Sequence, residues 1–155
     1  MRADDYRRTQ QTRLDAAGVS DAVERLAHLI ARRLRIPRLE LALAGDAELT
    51  DDDCRALDGE TARLAAGEPL AYILGDLPFH TISLQCYRRA LIPRPETEWL
   101  VDQVLHCDPV WRAARLRLAD VGTGTGCIAL ALAARRPQAR ILAIDRDPKA
   151  LALAR

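Results

Sequence analysis

Leu118-Ala119-Asp120-Val121-Gly122-Thr123-Gly124-Thr125-Gly126-Cys127 is the stretch whose reading decides the fold. The residues before it, Leu116 to Val121, read as a strand, and those after it, through Leu130 to Arg135, read as a helix. Between them stand three alternating glycines, which tolerate the positive φ of a tight turn and present no Cβ to a ligand lying on the backbone. The helix that follows points amide groups and a partial positive end toward the same place. A second strand is expected from Ala139 to Asp145, and Asp147-Pro148 then opens another helix, with Asp at the N-cap and Pro at the first helical position. Strand, loop, helix, strand, helix is the start of a parallel α/β sheet.

The loop spacing bears on the ligand. The dinucleotide fingerprint is G-x-G-x-x-G, often with Ala in the last place. Here Cys127 occupies that place and the third glycine comes one residue early, so the loop reads acidic-x-G-x-G-x-G. That form resembles motif one of Rossmann-like methyltransferases. Asp145 ends the second strand 23 residues after Gly122, where an acidic side chain in such sheets accepts hydrogen bonds from ribose hydroxyls. An NAD enzyme would use an acid in the same way; Asp145 selects a ribose, and the loop spacing selects the methyl donor. The plain alternative is a tight turn followed by a surface acid.

Working toward the N-terminus, Pro93 and Pro95 flank Arg94, and a helix is expected from Glu96 to His106 with Trp99, Leu100 and Val104 inward. Gly67, Pro69, Gly75 and Pro78 punctuate a stretch containing Tyr72, Ile73, Phe79, Ile82 and Leu84, which suggests short strands in a hairpin-like connector. Before it the chain is helical. Ser20 is placed to cap a helix with Val23, Leu26, Ile30 and Leu34 on one stripe, Pro37 marking its end. After a short apolar segment, Leu39 to Ala44, Thr50 opens a capping-box-like start in which Asp53 replaces the usual Glu or Gln. That helix carries Cys54, Leu57 and Leu64 and stops at Gly67. The division this predicts is a helical substrate-docking domain over 1–66, a hairpin connector over 67–94, and an incomplete Rossmann-like methyltransferase domain over 95–155. Two parallel strands are too few for a stable covered sheet, so the chain is expected to be a fragment of a longer protein.

Bulk composition excludes more than it selects. Of 155 residues 29% are charged, and the formal net charge is +1, which gives no general attraction to nucleic acid or anionic membrane. No apolar run approaches the roughly 20 residues that span a bilayer, and the N-terminus lacks the apolar core of a secretory signal. A cytoplasmic monomer is the expectation. Cys54, Cys86, Cys107 and Cys127 show no C-x-x-C spacing, and His28, His80 and His106 share no ligand pattern with them. No metal site is expected, and the cysteines read as small apolar fillers. The arginines at 32, 33 and 35 read first as a solvated helix face, and otherwise as a contact for ribosomal RNA or an acidic surface. Trp99 and Trp111 read as core or interface packing, and His28 as solvated or half-buried.

Three segments in order resemble the release-factor glutamine methyltransferases, the HemK or PrmC type: Gly67-Glu68-Pro69-Leu70-Ala71-Tyr72-Ile73-Leu74-Gly75, then Ile92-Pro93-Arg94-Pro95-Glu96-Thr97-Glu98, then Asp120 through Gly126. The second is the most specific. The resemblance covers the whole chain and implies an α/β fold in which an N-terminal helical bundle precedes the first part of a Rossmann-like S-adenosylmethionine-dependent methyltransferase domain. It implies transfer of a methyl group from S-adenosylmethionine to the glutamine side-chain amide of a G-G-Q motif in peptide chain release factors. It places Asp120, Gly122, Thr123, Gly124, Thr125, Gly126 and Asp145 at the cofactor, and Phe79, Arg94, Glu96 and Thr97 at the substrate cleft. For Phe79 a hairpin core position is the equal alternative, and for Arg94, Glu96 and Thr97 a helix start. Asp120 either approaches the ammonium of the cofactor's methionine end or holds the loop through backbone amides.

In the family an Asn-Pro-Pro-Tyr loop aims the glutamine amide nitrogen, a poor nucleophile, by orientation and electrostatics. The present sequence contains no asparagine. No catalytic residue is assigned in it, and the chain alone is expected to be inactive. The competing readings are a non-catalytic module that docks a release factor and another amino-methyltransferase on the same cofactor fold.

Overall fold

The computed structural model describes residues 1–112 and 116–155. The chain divides into two compact units, Met1–Ile73 and Leu74–Arg155, each built around its own apolar side chains. The boundary falls inside the stretch that the sequence marks as connector.

The first unit is helical: α1 (Ala3–Ala16), α2 (Ala22–Leu34), a 3-10 turn (Arg38–Ala42), α3 (Asp51–Ala65) and most of α4 (Leu70–Leu74). Its core is formed by Tyr6 and Leu14 from α1, Leu26, Leu29 and Ile30 from α2, and Leu57 and Leu64 from α3. α3 begins as expected. Thr50 Oγ1 accepts from the Asp53 amide, and the Asp53 carboxylate accepts from the Thr50 amide and hydroxyl. Three expectations need correction. Ser20 does not cap α2; Asp21 is the N-cap in a left-handed conformation, and the Ser20 hydroxyl accepts from Arg25. Val23 is exposed, and the buried stripe of α2 runs through Leu26, Leu29 and Ile30 instead. Tyr72 and Ile73 lie in α4 and not in a strand. α4 is only one turn long, too short for a 3.6-residue repeat to show against the neighbouring Gly and Pro.

The second unit opens with an antiparallel hairpin, β1 (Asp76–Phe79) and β2 (Ile82–Gln85), with Phe79 opposite Ile82. Then come α5 (Pro95–Leu105), α6 (Asp108–Trp111), β3 (Arg117–Val121), α7 (Cys127–Arg135), β4 (Arg140–Ile144) and α8 (Pro148–Leu153). β3 and β4 pair in parallel, Asp120 opposite Ala143 and Val121 opposite Ile144. The core joins the hairpin to the helices: Phe79, Leu84, Val101, Cys127, Ala131 and Leu132 are buried together, with Leu118 and Ile141 packed against them from the sheet.

On α5 the expected inward face is rotated. Val101 is fully buried, whereas Trp99 and Leu100 are exposed and Val104 is half-buried. Trp111 behaves as expected, donating from Nε1 to the Val104 carbonyl at 2.7 Å and packing on the core. Of the cysteines, Cys86 and Cys127 are buried fillers, Cys54 is half-buried and Cys107 is exposed at the end of α5, so the filler reading does not extend to Cys107. Side chains alternate along both strands: Leu118, Asp120, Ile141 and Ala143 face inward, while Ala119, Val121, Leu142 and Ile144 are left exposed on the other face.

Candidate functional site

The glycine loop leaves β3 at Val121 and enters α7 at Cys127. All three of its glycines have positive φ, 81° at Gly122, 56° at Gly124 and 79° at Gly126, a region that costs an ordinary residue about 1–2 kcal/mol. Their surroundings differ. A Cβ on Gly122 would meet nothing within 4 Å, so space opens above the start of the loop. A Cβ on Gly126 would lie 3.0 Å from Ala154 Cβ and 3.2 Å from Leu130 Cδ1. Gly122 thus faces open space, and Gly126 allows α7 to begin against α8.

Backbone hydrogen bonds tie the loop to the end of β4. The amides of Gly122 and Thr123 both donate to the Ile144 carbonyl, at 2.8 and 2.9 Å. The Gly124 amide donates to Asp145 Oδ2 at 2.9 Å, and the Asp147 amide donates to Asp145 Oδ1 at 2.9 Å. These two amides hold the Asp145 carboxyl below the usual carboxylate range. Asp147 in turn caps α8, accepting from the Lys149 amide at 2.8 Å, as its position before Pro148 predicts.

The two threonines of the loop point inward. Thr123 is buried and its Oγ1 donates to Asp120 Oδ2 at 2.7 Å. Asp120 therefore steadies the loop through a side-chain hydroxyl. Thr125 is also buried, with its side-chain hydroxyl in hydrogen-bond reach of the Cys127 thiol. Beside it, burial pushes the Cys127 thiol above its ordinary value.

Outside the loop, the other residues that the sequence singles out lie at the start of α5 and in the hairpin. Ala90, in the turn that leads into Ile92-Pro93-Arg94, comes within 4.0 Å of where a Gly124 Cβ would stand. Nothing in the sequence marks Ala90, a small residue in a turn. Arg94 is the N-cap of α5, and its carbonyl accepts from the Thr97 amide at 2.9 Å. Arg94 and Glu96 are exposed and Thr97 is half-buried. Phe79 is corrected. It is 1% exposed and enclosed by Leu84, Val101 and Leu132, so it offers no surface to a substrate in this structure. Hairpin packing claims its ring. No group of three or more His, Cys, Asp or Glu side chains is arranged to hold a metal among the described residues.

Two family models match the chain. Residues 5–75 match the PrmC N-terminal domain and residues 100–155 match the methyltransferase small domain. The release factor glutamine methyltransferase of Deinococcus radiodurans is 41% identical over 149 residues, 95% of this chain and 52% of that protein. The chain belongs to the release factor glutamine methyltransferase family. The Escherichia coli K12 enzyme of that name is 46% identical over 110 residues, 71% of this chain and 39% of that protein. The relative from Nitratidesulfovibrio vulgaris is 39% identical over 148 residues, 95% of this chain and 49% of that protein. The chain thus spans about half or less of the length of these family members. The matched methyltransferase region contains the glycine loop, Asp145 and both parallel strands, and the matched N-terminal region ends beside the boundary between the two compact units.

Proposed function

We propose that this chain forms the cofactor-holding part of an S-adenosylmethionine-dependent enzyme that methylates the glutamine side-chain amide of the G-G-Q motif in peptide chain release factors, and that its helical unit docks the factor. The observation that carries the reading is the glycine loop of a release factor glutamine methyltransferase family member, open above Gly122 and joined through Gly124 to the carboxylate of Asp145. The residues fit such a ligand. There is room over the loop, and a carboxylate whose oxygens retain accepting capacity beyond the Gly124 and Asp147 amides. When bound, S-adenosylmethionine supplies an electrophilic methyl group on its sulfonium.

This chain's own residues bind and orient. Asp145 accepts from ribose hydroxyls, Gly122 to Gly126 lie against the methionine portion, and Asp120 and Thr123 keep the turn in shape. Arg94, Glu96 and Thr97 border the substrate side of the cleft. The Asn-Pro-Pro-Tyr loop that aims the amide nitrogen in the family has no counterpart in these residues, which include no asparagine. The chain by itself therefore holds the cofactor without methyl transfer.

The test is calorimetric titration of S-adenosylmethionine into the wild-type chain and into Asp145→Ala, with a radiolabelled methyl-transfer assay on a release factor alongside. Saturable heat that the substitution abolishes, without transfer, is expected. Equal heat in both proteins would remove Asp145 from the site, and no heat in either would overturn cofactor binding by this chain.

A further inference from the structure

The two oxygens of the Asp145 carboxylate are already engaged before any ligand arrives. Oδ2 accepts from the Gly124 amide, 21 residues away in sequence and at the centre of the glycine loop. Oδ1 accepts from the Asp147 amide, which begins α8. The neighbouring amides of Gly122 and Thr123 are tied to the Ile144 carbonyl, and Gly126 donates to the Thr123 carbonyl at 2.8 Å, whereas the Gly124 amide is held by the Asp145 side chain. From these bonds we infer that Asp145 is a positioning residue for the glycine loop as well as a ribose acceptor, so that one carboxylate couples recognition of the adenosine end of the ligand to the shape of the loop under its amino-acid end. The ribose role rests on the function proposed above; the positioning role does not.

The coupling follows from geometry. Each carboxylate oxygen offers two lone-pair directions, so an amide and a ribose hydroxyl can share one oxygen without exclusion. A carboxylate held by two amides is fixed in rotamer and direction before binding, which lowers the ordering cost of capturing a diol. Conversely, removing the charge loosens Gly124. Its positive φ of 56° is not one that the chain holds without support, since glycine has the widest conformational freedom of any residue.

Two measurements on the full chain separate the roles. The first is amide hydrogen exchange at Gly124 and Asp147 without ligand, in wild type and Asp145→Asn, with the amides of Asp120 and Ala143 in the strands as the check on folding. The wild-type Gly124 amide is expected to be protected, and Asp145→Asn to exchange it about tenfold faster or more while the strand amides are unchanged. A wild-type Gly124 amide that exchanges at the rate of an unstructured peptide overturns the inference, whether or not the variant folds. The second is the affinity of both proteins for S-adenosylhomocysteine and for its 2′,3′-dideoxy analogue. If Asp145 also positions the loop, Asp145→Asn weakens binding of the dideoxy analogue too. An affinity for that analogue unchanged by the substitution confines Asp145 to the ribose and overturns the coupling. Absence of binding by wild type to either ligand counts against the proposed cofactor and leaves the exchange result to decide the positioning role.

Discussion

Gly126 and Ala154 are in close contact: a Cβ built on Gly126 would stand 3.0 Å from the Ala154 Cβ, so that α8 would have to give by a few tenths of an ångström, and φ is 79°. Gly126→Ala therefore meets two penalties, the left-handed backbone and the overlap, together about 2 to 4 kcal/mol. Both tryptophans, Trp99 and Trp111, lie in the second unit, so tryptophan fluorescence during urea unfolding reports that unit alone. The midpoint is expected to fall sharply. An unchanged midpoint would contradict both the left-handed conformation of Gly126 and its contact with α8.

Gly59 is the opposite case. It sits within α3, its φ is not positive, and a Cβ there meets nothing within 4 Å. Gly59→Ala should stabilise the helical unit by about 0.5–1 kcal/mol, read as a higher midpoint for the loss of helical circular dichroism. A lower midpoint would show that this face of α3 is in contact with something.

On α2, Leu26 is fully buried and Val23 is 43% exposed. Leu26→Ala should cost about 2–5 kcal/mol, and Val23→Ala no more than about 0.5 kcal/mol. Comparable losses at both positions would restore the stripe expected from the sequence. That stripe shows where the sequence was legible and where it was not. The repeat of apolar residues located the helix correctly, but the apolar set Val23, Leu26, Leu29, Ile30 and Leu34 is wider than the face that packing can cover. The choice among these residues is made by α1 and α3, which a local repeat does not contain. The same holds on α5, where Val101 is buried in preference to Trp99 and Leu100. Capping was legible at Thr50 and Asp147, where side chain and backbone lie within three residues of each other, and failed at Ser20, where a left-handed Asp21 intervenes. At the site, the loop, its following helix and Asp145 were readable as a motif. The bond from Gly124 to Asp145 was not, because it links two strand ends through tertiary pairing.

The helical unit should also lose stability in acid, through two groups. Hydrogen bonds from the Thr50 side chain and amide hold the Asp53 carboxyl below its usual range. Its contribution is fully present above the unfolded carboxylate value, about 3.9, and is lost as pH falls through the lower folded value. Burial lowers the His28 pKa, assisted by Arg38 and opposed by Glu24. The unfolded chain then binds a proton more readily than the folded one, so stability falls as pH drops below about 6.5 and levels off beneath the folded value. His28→Gln should flatten the slope below about pH 6.5, and Thr50→Ala should lower stability by about 1 kcal/mol at neutral pH. A slope in that window that survives His28→Gln would assign it to another group.

The parallel pair β3–β4 is covered on one face only. Leu118 and Ile141 pack on the core, while Val121, Leu142 and Ile144 remain exposed, Val121 at 77%. Among the described residues neither strand has a second neighbour, so each presents an edge of unpaired amides and carbonyls to water. A sheet in this state opens readily, because local opening free energy follows the apolar contact that opening must break. The helical unit has no such deficit, since its three long helices bury Leu14, Leu26, Leu29, Ile30, Leu57 and Leu64 among themselves. Backbone amides from residues 116–155 should exchange faster than those of residues 20–66, by a margin greater than the scatter within either set. Equal and strong protection in both would mean that something covers the exposed face in solution. Val121→Thr and Ile144→Thr then discriminate between the causes. If the face is open to water, both should be nearly neutral in unfolding midpoint, whereas a covered face would lose about 1 kcal/mol or more at each position.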